Sequence, residues 1–342
     1  MTEIAFQAIT KTFRGHGKPA VDAVTFTVPA DCTCMLVGKS GAGKTTLLRM
    51  VNRLIEPTSG RLVIAGKDVL AENPIELRRK IGYVIQQVGL FPHMTVAENI
   101  RVTAEVTGGW TKRSLDARVD ELLDLVGLPP AEYRRRFPRE LSGGQQQRVG
   151  LARALTTDPM ILLMDEPFGA LDAITRRQMQ DELLRIQRNV RKTILFVTHD
   201  MEEALKLGDL IAVMHQGKLL QIGAPVDLLT HPADEMVARL VGSDDMLREL
   251  QYLTVSSAVD AAGPEGFAAG EQLPSCSSDS TLLAAMLRLF ATRAPALALE
   301  SDDGLPVGYV TLSSIISTLT KGRRQETALA PSTGSSRAFG SP

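Results

Sequence analysis

Gly38-Lys39-Ser40-Gly41-Ala42-Gly43-Lys44-Thr45 separates an apolar run, Cys34-Met35-Leu36-Val37, from a segment of helical character, Thr45-Thr46-Leu47-Leu48-Arg49-Met50-Val51. The octapeptide fits the pattern G-x-x-x-x-G-K-[ST], and it has the context that pattern needs, a strand before and a helix after. Glycines let backbone N–H groups turn inward around phosphates, and the following helix presents its positive end to them. Gly38, Lys39, Ser40, Gly41, Ala42, Gly43, Lys44, Thr45 and Thr46 are therefore candidate nucleotide-binding residues. Lys44 would reach the β- and γ-phosphates, and the Thr45 hydroxyl would sit on Mg²⁺.

Further along, Ile161-Leu162-Leu163-Met164-Asp165-Glu166 is an apolar strand ending in two carboxylates. Two adjacent acids after a strand are ordinarily a solvated turn. Beside a phosphate loop they acquire roles: Asp165 on the metal, and Glu166 on a water in line with the γ-phosphate. A helix follows with an apolar stripe at Met179, Leu183, Ile186 and Val190, and then a second buried strand over Ile194 to Val197. The stripe reads as a core face. Strands alternating with helices predict an α/β fold with a mostly parallel sheet.

Between the two elements lies Leu141-Ser142-Gly143-Gly144-Gln145-Gln146-Gln147-Arg148-Val149-Gly150. With this segment the chain resembles the ATP-binding subunits of ATP-binding-cassette (ABC) transporters over roughly residues 3 to 240, its motifs in family order. The resemblance implies a RecA-like P-loop ABC ATPase core. It also implies that Ser142, Gly143, Gly144 and Gln145 cap the γ-phosphate held by a second copy of the chain, so that the enzyme hydrolyses ATP as a homodimer. By the same likeness Gln86 contacts Mg²⁺ and the attacking water, and Asp172 in Ala170-Leu171-Asp172 lies across the dimer interface beside ATP. His199 meets the γ-phosphate, and Phe13 stacks on adenine. The implied catalytic set is Glu166, His199 and Gln86, and the implied metal set Thr45, Gln86 and Asp165. Lys39 stands where relatives often carry another residue, at an outward position in the loop.

Ile81-Gly82-Tyr83-Val84-Ile85-Gln86-Gln87-Val88-Gly89-Leu90-Phe91-Pro92-His93-Met94-Thr95-Val96 is similar to the ATPases of osmoprotectant importers for glycine betaine, choline, carnitine and related quaternary amines. That likeness implies an integral membrane permease that docks after Gln86, with a substrate-binding protein acting indirectly. It implies a peripheral location on the cytoplasmic face of the inner or plasma membrane. Importers of other small solutes, such as amino acids or sulfonates, share the same engine, because the site sees only ATP. A soluble ABC ATPase of DNA repair or translation would ordinarily bear coiled-coil or zinc insertions or two cassettes, and this sequence has one signature segment and no Cys-x-x-Cys.

The expected organisation is an ATPase domain over 1–240 with a helical subdomain at about 88–155, then a small α+β domain over 248–320. In the latter, Thr281 to Phe290 reads as a helix, Ala296 to Leu299 and Val307 to Val310 as strands around an Asp302-Asp303-Gly304 turn, and Ile315-Ile316 as helical. This segment resembles the end of a cystathionine-β-synthase (CBS) module, single or degenerate. Residues 321–342 are polar and small and are expected to be disordered.

Composition narrows the classes further. The 38 Lys plus Arg against 39 Asp plus Glu leave a formal charge of −1, which argues against a nucleic-acid footprint. No apolar run reaches the length of about 18 residues that spans a bilayer. The start, alternating at Ile4, Phe6 and Ala8, lacks the basic-then-apolar order of a secretion signal, so a soluble cytoplasmic protein is expected. Cys32, Cys34 and Cys276 are sparse and odd in number. Cys32 and Cys34 read as buried residues on one face of the strand entering the loop rather than as metal ligands.

Overall fold

The computed structural model describes residues 2–319 except 16, 87–88, 190, 243–245, 248–249, 252, 261–272 and 301–305. Gln87, Val88, Val190, the Asp302-Asp303-Gly304 turn and the 321–342 tail lie outside the described residues. The chain divides into two units, Met1–Val241 and Gly242–Pro342.

In the first unit, β1 (Ile4–Lys11) pairs antiparallel with β2 (Val21–Val28) and with β4 (Ser59–Ile64), and β4 pairs with β5 (Lys67–Asp68). The expected Ile4, Phe6, Ala8 alternation breaks at its third member. Ala8 is exposed with φ 49°, and Ile9 is buried instead. The register shifts between Gln7 and Thr10, so a bulge moves the inward position on by one residue.

The second sheet carries β3 (Thr33–Val37) between β8 (Thr193–Thr198) and β9 (Leu210–His215). Beyond β8 come β7 (Ile161–Asp165) and β6 (Ile81–Val84), and beyond β9 comes β10 (Lys218–Gly223). Every pairing is parallel except β9 with β10. All residues of β3, β7 and β8 are buried, as expected for strands covered on both faces. One face, through Cys34, Leu36, Leu163, Leu195 and Val197, joins a single core with Leu47, Leu48, Met50 and Val51 of α1 (Lys44–Val51) and with Ile4, Phe6 and Phe26 of the antiparallel sheet. The Phe6 and Phe26 rings stack there at 4.5 Å. Cys32 lies just before β3 and is only half-buried, which corrects its expected strand position. Burial pushes both Cys32 and Cys34 thiols well up, which keeps them protonated and unreactive. Among the described residues no cluster of His, Cys, Asp and Glu fits a metal ion.

The remaining elements cover the sheet and its ends. After α2 (Pro74–Arg79) and β6, the described elements up to β7 are all helices: α3 (Val96–Thr107), α4 (Lys112–Leu125), α5 (Pro130–Tyr133), a 3-10 turn at Pro138–Glu140, and α6 (Gly143–Leu155). Thr95, Thr111 and Ser142 start three of these helices with reciprocal capping boxes, each cap contributing about 1 kcal/mol. Then α7 (Ala173–Asn189) buries Met179, Leu183 and Ile186, the described part of the expected stripe. The unit closes with α8 (Met201–Leu207), α9 (Pro225–Thr230) and α10 (Glu235–Val241).

In the second unit, β11 (Ser275–Cys276) runs parallel to β12 (Leu297–Glu300), which pairs antiparallel with β13 (Pro306–Val310). A helix over Leu282–Thr292 joins β11 to β12, and another spans 312–319. Leu282, Ala285, Met286, Leu289, Leu297, Leu299, Ile315 and Leu319 are buried. No helix among the described residues is long and apolar enough to cross a membrane.

Candidate active site

Parallel pairing sends the carboxyl ends of β3, β6, β7 and β8 to one edge of the sheet, where open α/β sheets bind ligands. Register aligns them: Val37 lies opposite Thr198, Asp165 opposite Val197, and Val84 opposite Met164. The chain leaves each end with a candidate residue, so four distant segments meet.

The phosphate loop leaves β3 through Gly38. Gly38 and Gly43 have φ of 150° and 97°, and a Cβ on either would run into a carbonyl, that of Met214 or of Ala20. Only glycine fits both. Lys44, almost fully buried at 5% exposure, donates from Nζ to Gly38 O at 2.7 Å and Lys39 O at 3.2 Å. Its cation thus lies across the loop mouth. Burial pulls its pKa down, opposed by the carboxylates of Glu166 and Asp165. An anion received by the loop would restore the balance in favour of the charged amine.

Asp165 ends β7 at 4% exposure, and its two oxygens are divided between partners. Oδ1 accepts from Thr45 Oγ1 at 2.9 Å, while Oδ2 accepts from Tyr83 OH and lies near Arg49 Nη2, both at 3.4 Å. Neither Arg49 nor Tyr83 stood among the candidates. The signal for Arg49 was its i+4 spacing from Thr45 on α1. For Tyr83 it was a place on the strand that leads to Gln86.

Glu166 takes up a left-handed conformation, φ 46°, uncommon for a residue with a side chain, and its N–H donates to Val197 O at 3.0 Å. On its Oε2 two other candidates converge: Gln86 Nε2 at 3.4 Å and His199 Nδ1 at 3.3 Å. The structure therefore assembles Gln86, Glu166 and His199 at the same edge as Thr45, Asp165 and Lys44. Such a set can hold phosphate, offer hard oxygen ligands to a divalent cation, and polarise a water.

A profile of the ABC transporter family matches residues 21–169. The chain is 42% identical over 312 residues to a choline transport ATP-binding protein of Bacillus subtilis, spanning 91% of this chain and 79% of that protein. The chain belongs to the ABC transporter family. An osmoprotectant import ATP-binding protein of Salmonella typhimurium is 43% identical over 90% of this cassette and 78% of its own length. A glycine betaine uptake system ATP-binding protein of Escherichia coli is 39% identical over 92% and 99%. Among solved structures, a dimeric bacterial ABC transporter cassette matches with TM-score 0.59 and 32% identity, covering 65% of this chain and 98% of that one. A dimeric post-hydrolysis cassette bound to ADP and Pi gives TM-score 0.58 and 31% identity, over 65% and 98%. As a member of this family the protein is an ATP-binding ATPase.

The cassette's Ser142-Gly143-Gly144-Gln145 segment forms the N-terminus of α6. Ser142 N donates to Gln145 Oε1 at 2.9 Å, and Gln145 N donates to Ser142 Oγ at 3.3 Å. A Cβ on Gly144 would lie 2.6 Å from Thr175 Cγ2, and one on Gly143 3.6 Å from Leu171. Asp172 caps α7, accepting from Ile174 N, Thr175 N and Thr175 Oγ1, and the Thr175 bonds hold its carboxyl below the usual range. Among the in-chain neighbours of this segment are Leu171 and Thr175 on the way into α7, and Tyr133, whose OH accepts from Gln145 Nε2 at 3.0 Å. Those of the phosphate loop include Ala20, Met214, Asp165 and Gly217, whose N–H donates to Ala42 O at 3.1 Å.

Phe13 lies in the turn after β1, 39% exposed, with Lys11 Nζ 5.3 Å from its ring centroid. The turn returns to Ala20, the residue whose carbonyl crowds Gly43, which puts an exposed aromatic on a hairpin that abuts the phosphate loop. Beyond Gln86, the fully buried Asn99 donates to Phe91 O, Met94 O and Thr95 O and accepts from Phe91 N. It shapes the loop on which Phe91 is exposed.

Proposed function

We propose that this cassette is the ATP-hydrolysing subunit of an importer for a quaternary amine osmoprotectant of the glycine betaine, choline or carnitine type. Two copies would close on two ATP and drive a membrane permease, with a substrate-binding protein delivering the solute. Names of relatives matched over most of both chains support the solute class, and two dimeric cassettes of like fold support the homodimer. The observation that carries the hydrolytic reading is the meeting of Gln86 and His199 on one oxygen of Glu166.

In this reading Phe13 stacks on adenine. Gly38 to Thr46 wrap the phosphates with backbone N–H groups, with Lys44 at the β- and γ-phosphates. Thr45, Asp165 and the Gln86 amide oxygen suit Mg²⁺, being hard oxygen donors of the kind it prefers. When bound, the ion would neutralise charge on the β- and γ-oxygens. Glu166 accepts a proton from a water that Gln86 orients, and His199 hydrogen-bonds the γ-phosphate. Ser142 to Gln145 act on the nucleotide of the second copy, with the α6 N-terminus supplying donors, and Asp172 lies at the interface between the copies. ATP then works by population shift: it stabilises the closed dimer, and hydrolysis releases it.

The Phe91 loop is read as the permease contact and the second unit as a CBS-like regulatory module. A strand–helix–strand–strand–helix order, with β11 parallel and β13 antiparallel to β12, supports the latter.

Glu166→Gln tests the engine. With saturating ATP this variant should accumulate as a dimer by light scattering and hydrolyse negligibly. A variant that stays monomeric refutes the shared site. Uptake of radiolabelled betaine and choline in a deletion strain tests the cargo, and uptake unchanged from the parent strain refutes it.

A further inference from the structure

His199 is largely solvent-exposed. Its side chain is 62% exposed, and its contact is with Glu166 at 3.3 Å. Its direction must come from the turn that carries it, and that turn is fixed from beneath by groups outside the proposed machinery.

Thr198 and Asp200 flank His199, and both are tied down. Asp200 N donates to Thr198 Oγ1 at 3.0 Å, and Glu203 N donates to Asp200 Oδ1 at 3.2 Å, closing the first turn of α8. The Glu203 side chain returns toward β8. Its Oε1 accepts from Gln180 Nε2 of α7 at 3.2 Å, and the nearby Thr198 hydroxyl favours the charged carboxylate. Glu203, Gln180 and Thr198 are buried, at 4%, 8% and 2% exposure. The charged groups around them are Arg176 on α7, 3.8 Å from Asp200, and the Asp181–Lys206 pair at 2.6 Å.

A carboxylate in such a place is costly for the fold. Burial raises the Glu203 pKa to about 6, so the charge itself is a burden that the fold retains, while the carboxylate supplies the acceptor for the buried Gln180 Nε2. Packing alone does not call for a glutamate here. A fixed hydrogen-bond acceptor between Thr198 and α7 does.

We propose that Glu203, anchored by Gln180, is a positioning residue for ATP hydrolysis, locking the Thr198–Asp200 turn so that the exposed His199 imidazole stays aimed at Glu166 and the γ-phosphate. The inference rests on the hydrolytic reading of His199. Asp172 caps α7, and Arg176 and Gln180 follow it at four-residue spacing along the helix, which makes the helix beginning beside the signature segment also the one that holds the histidine turn.

The test uses the full chain and compares Glu203→Leu, Glu203→Gln and His199→Ala, singly and with His199→Ala combined with Glu203→Leu. Steady-state ATPase and melting temperature are read for each. Glu203→Leu should stay folded but melt below wild type, because it leaves the buried Gln180 Nε2 without its acceptor. Its kcat should fall about tenfold with the ATP KM within about twofold, the pattern of a loss confined to the transition state. Glu203→Gln, which keeps an acceptor for Gln180, should recover most of the rate. In the His199→Ala background Glu203→Leu should cost less than about twofold, because the two residues act as one unit. A folded Glu203→Leu enzyme with wild-type kcat overturns the proposal, as does a full multiplication of the two losses. Should Glu203→Leu not fold, Thr198→Val removes the central hydroxyl at nearly constant shape and is judged by the same results. If His199→Ala itself hydrolyses at the wild-type rate, the hydrolytic role of His199 fails. If only the Glu203 variants do, the positioning role fails alone.

Discussion

His199 Nδ1 lies 3.3 Å from Glu166 Oε2, the oxygen that also receives the Gln86 amide at 3.4 Å. The ends of β6, β7 and β8 are thereby joined through one carboxylate atom. Gln86→Ala and His199→Ala should each lower kcat by about 10²-fold, the usual scale for groups that assist proton transfer, and leave ATP binding within a few-fold. Because they share a partner, the double variant should lose less than the product of the singles. Steady-state hydrolysis beside equilibrium binding of a fluorescent nucleotide checks both statements.

Lys44 offers a sharper separation of binding from chemistry. Its ammonium bridges the Gly38 and Lys39 carbonyls at the loop mouth. Lys44→Ala should weaken nucleotide binding at least about tenfold, or about 1.4 kcal/mol. The wild-type affinity in this variant, measured by titration calorimetry, would exclude the assignment of the loop to phosphate.

Gly144 meets α7 too closely to accept a side chain, with Thr175 Cγ2 2.6 Å from where a Cβ would stand. Gly144→Ala should destabilise the protein by about 1–3 kcal/mol through overpacking and shift the α6 N-terminus. Adding Thr175→Ser, which deletes the offending methyl, should restore both melting temperature and ATPase rate. No restoration would mean that the glycine serves something other than this contact.

Glu203 gives a pH dependence of known sign. Its carboxyl is raised from 4.5 in the unfolded chain to about 6 in the fold, so the folded state holds its proton more tightly. The destabilisation is absent below the unfolded value and grows as pH rises through the folded one, reaching about 2 kcal/mol. Glu203→Gln carries no such burden. Its melting temperature relative to wild type should climb between pH 4.5 and 7 and then level off. A difference that stays constant with pH would contradict the raised value.

Much of this site was legible because its segments carry local signals. The glycines of the phosphate loop, the Asp165-Glu166 strand end and the 179, 183, 186 stripe each answer to a backbone requirement or a periodicity read within about ten residues. The bulge at Ala8 was not legible, since an extra strand residue depends on pairing with both β2 and β4. Arg49 and Tyr83 were missed for a related reason: only the approach of α1 and β6 to the end of β7 brings them to Asp165. Asp172 was read as an interface residue, whereas its role visible in the fold is to cap α7.

By itself the sequence determined the parts: a glycine-rich loop between strand and helix, an apolar strand that delivers two acids, and a helix start at Ser142. These follow from residue chemistry acting over a few neighbours. Tertiary structure alone decided which strands stand side by side, and so which oxygen of Asp165 faces Thr45 and which faces Arg49. It also decided that Gln86 and His199, 113 residues apart in the chain, meet on one atom. The reason is physical: parallel pairing with a common register brings distant strand ends to one edge, and strand order is set by burying both sheet faces at once, which no local stretch of sequence encodes.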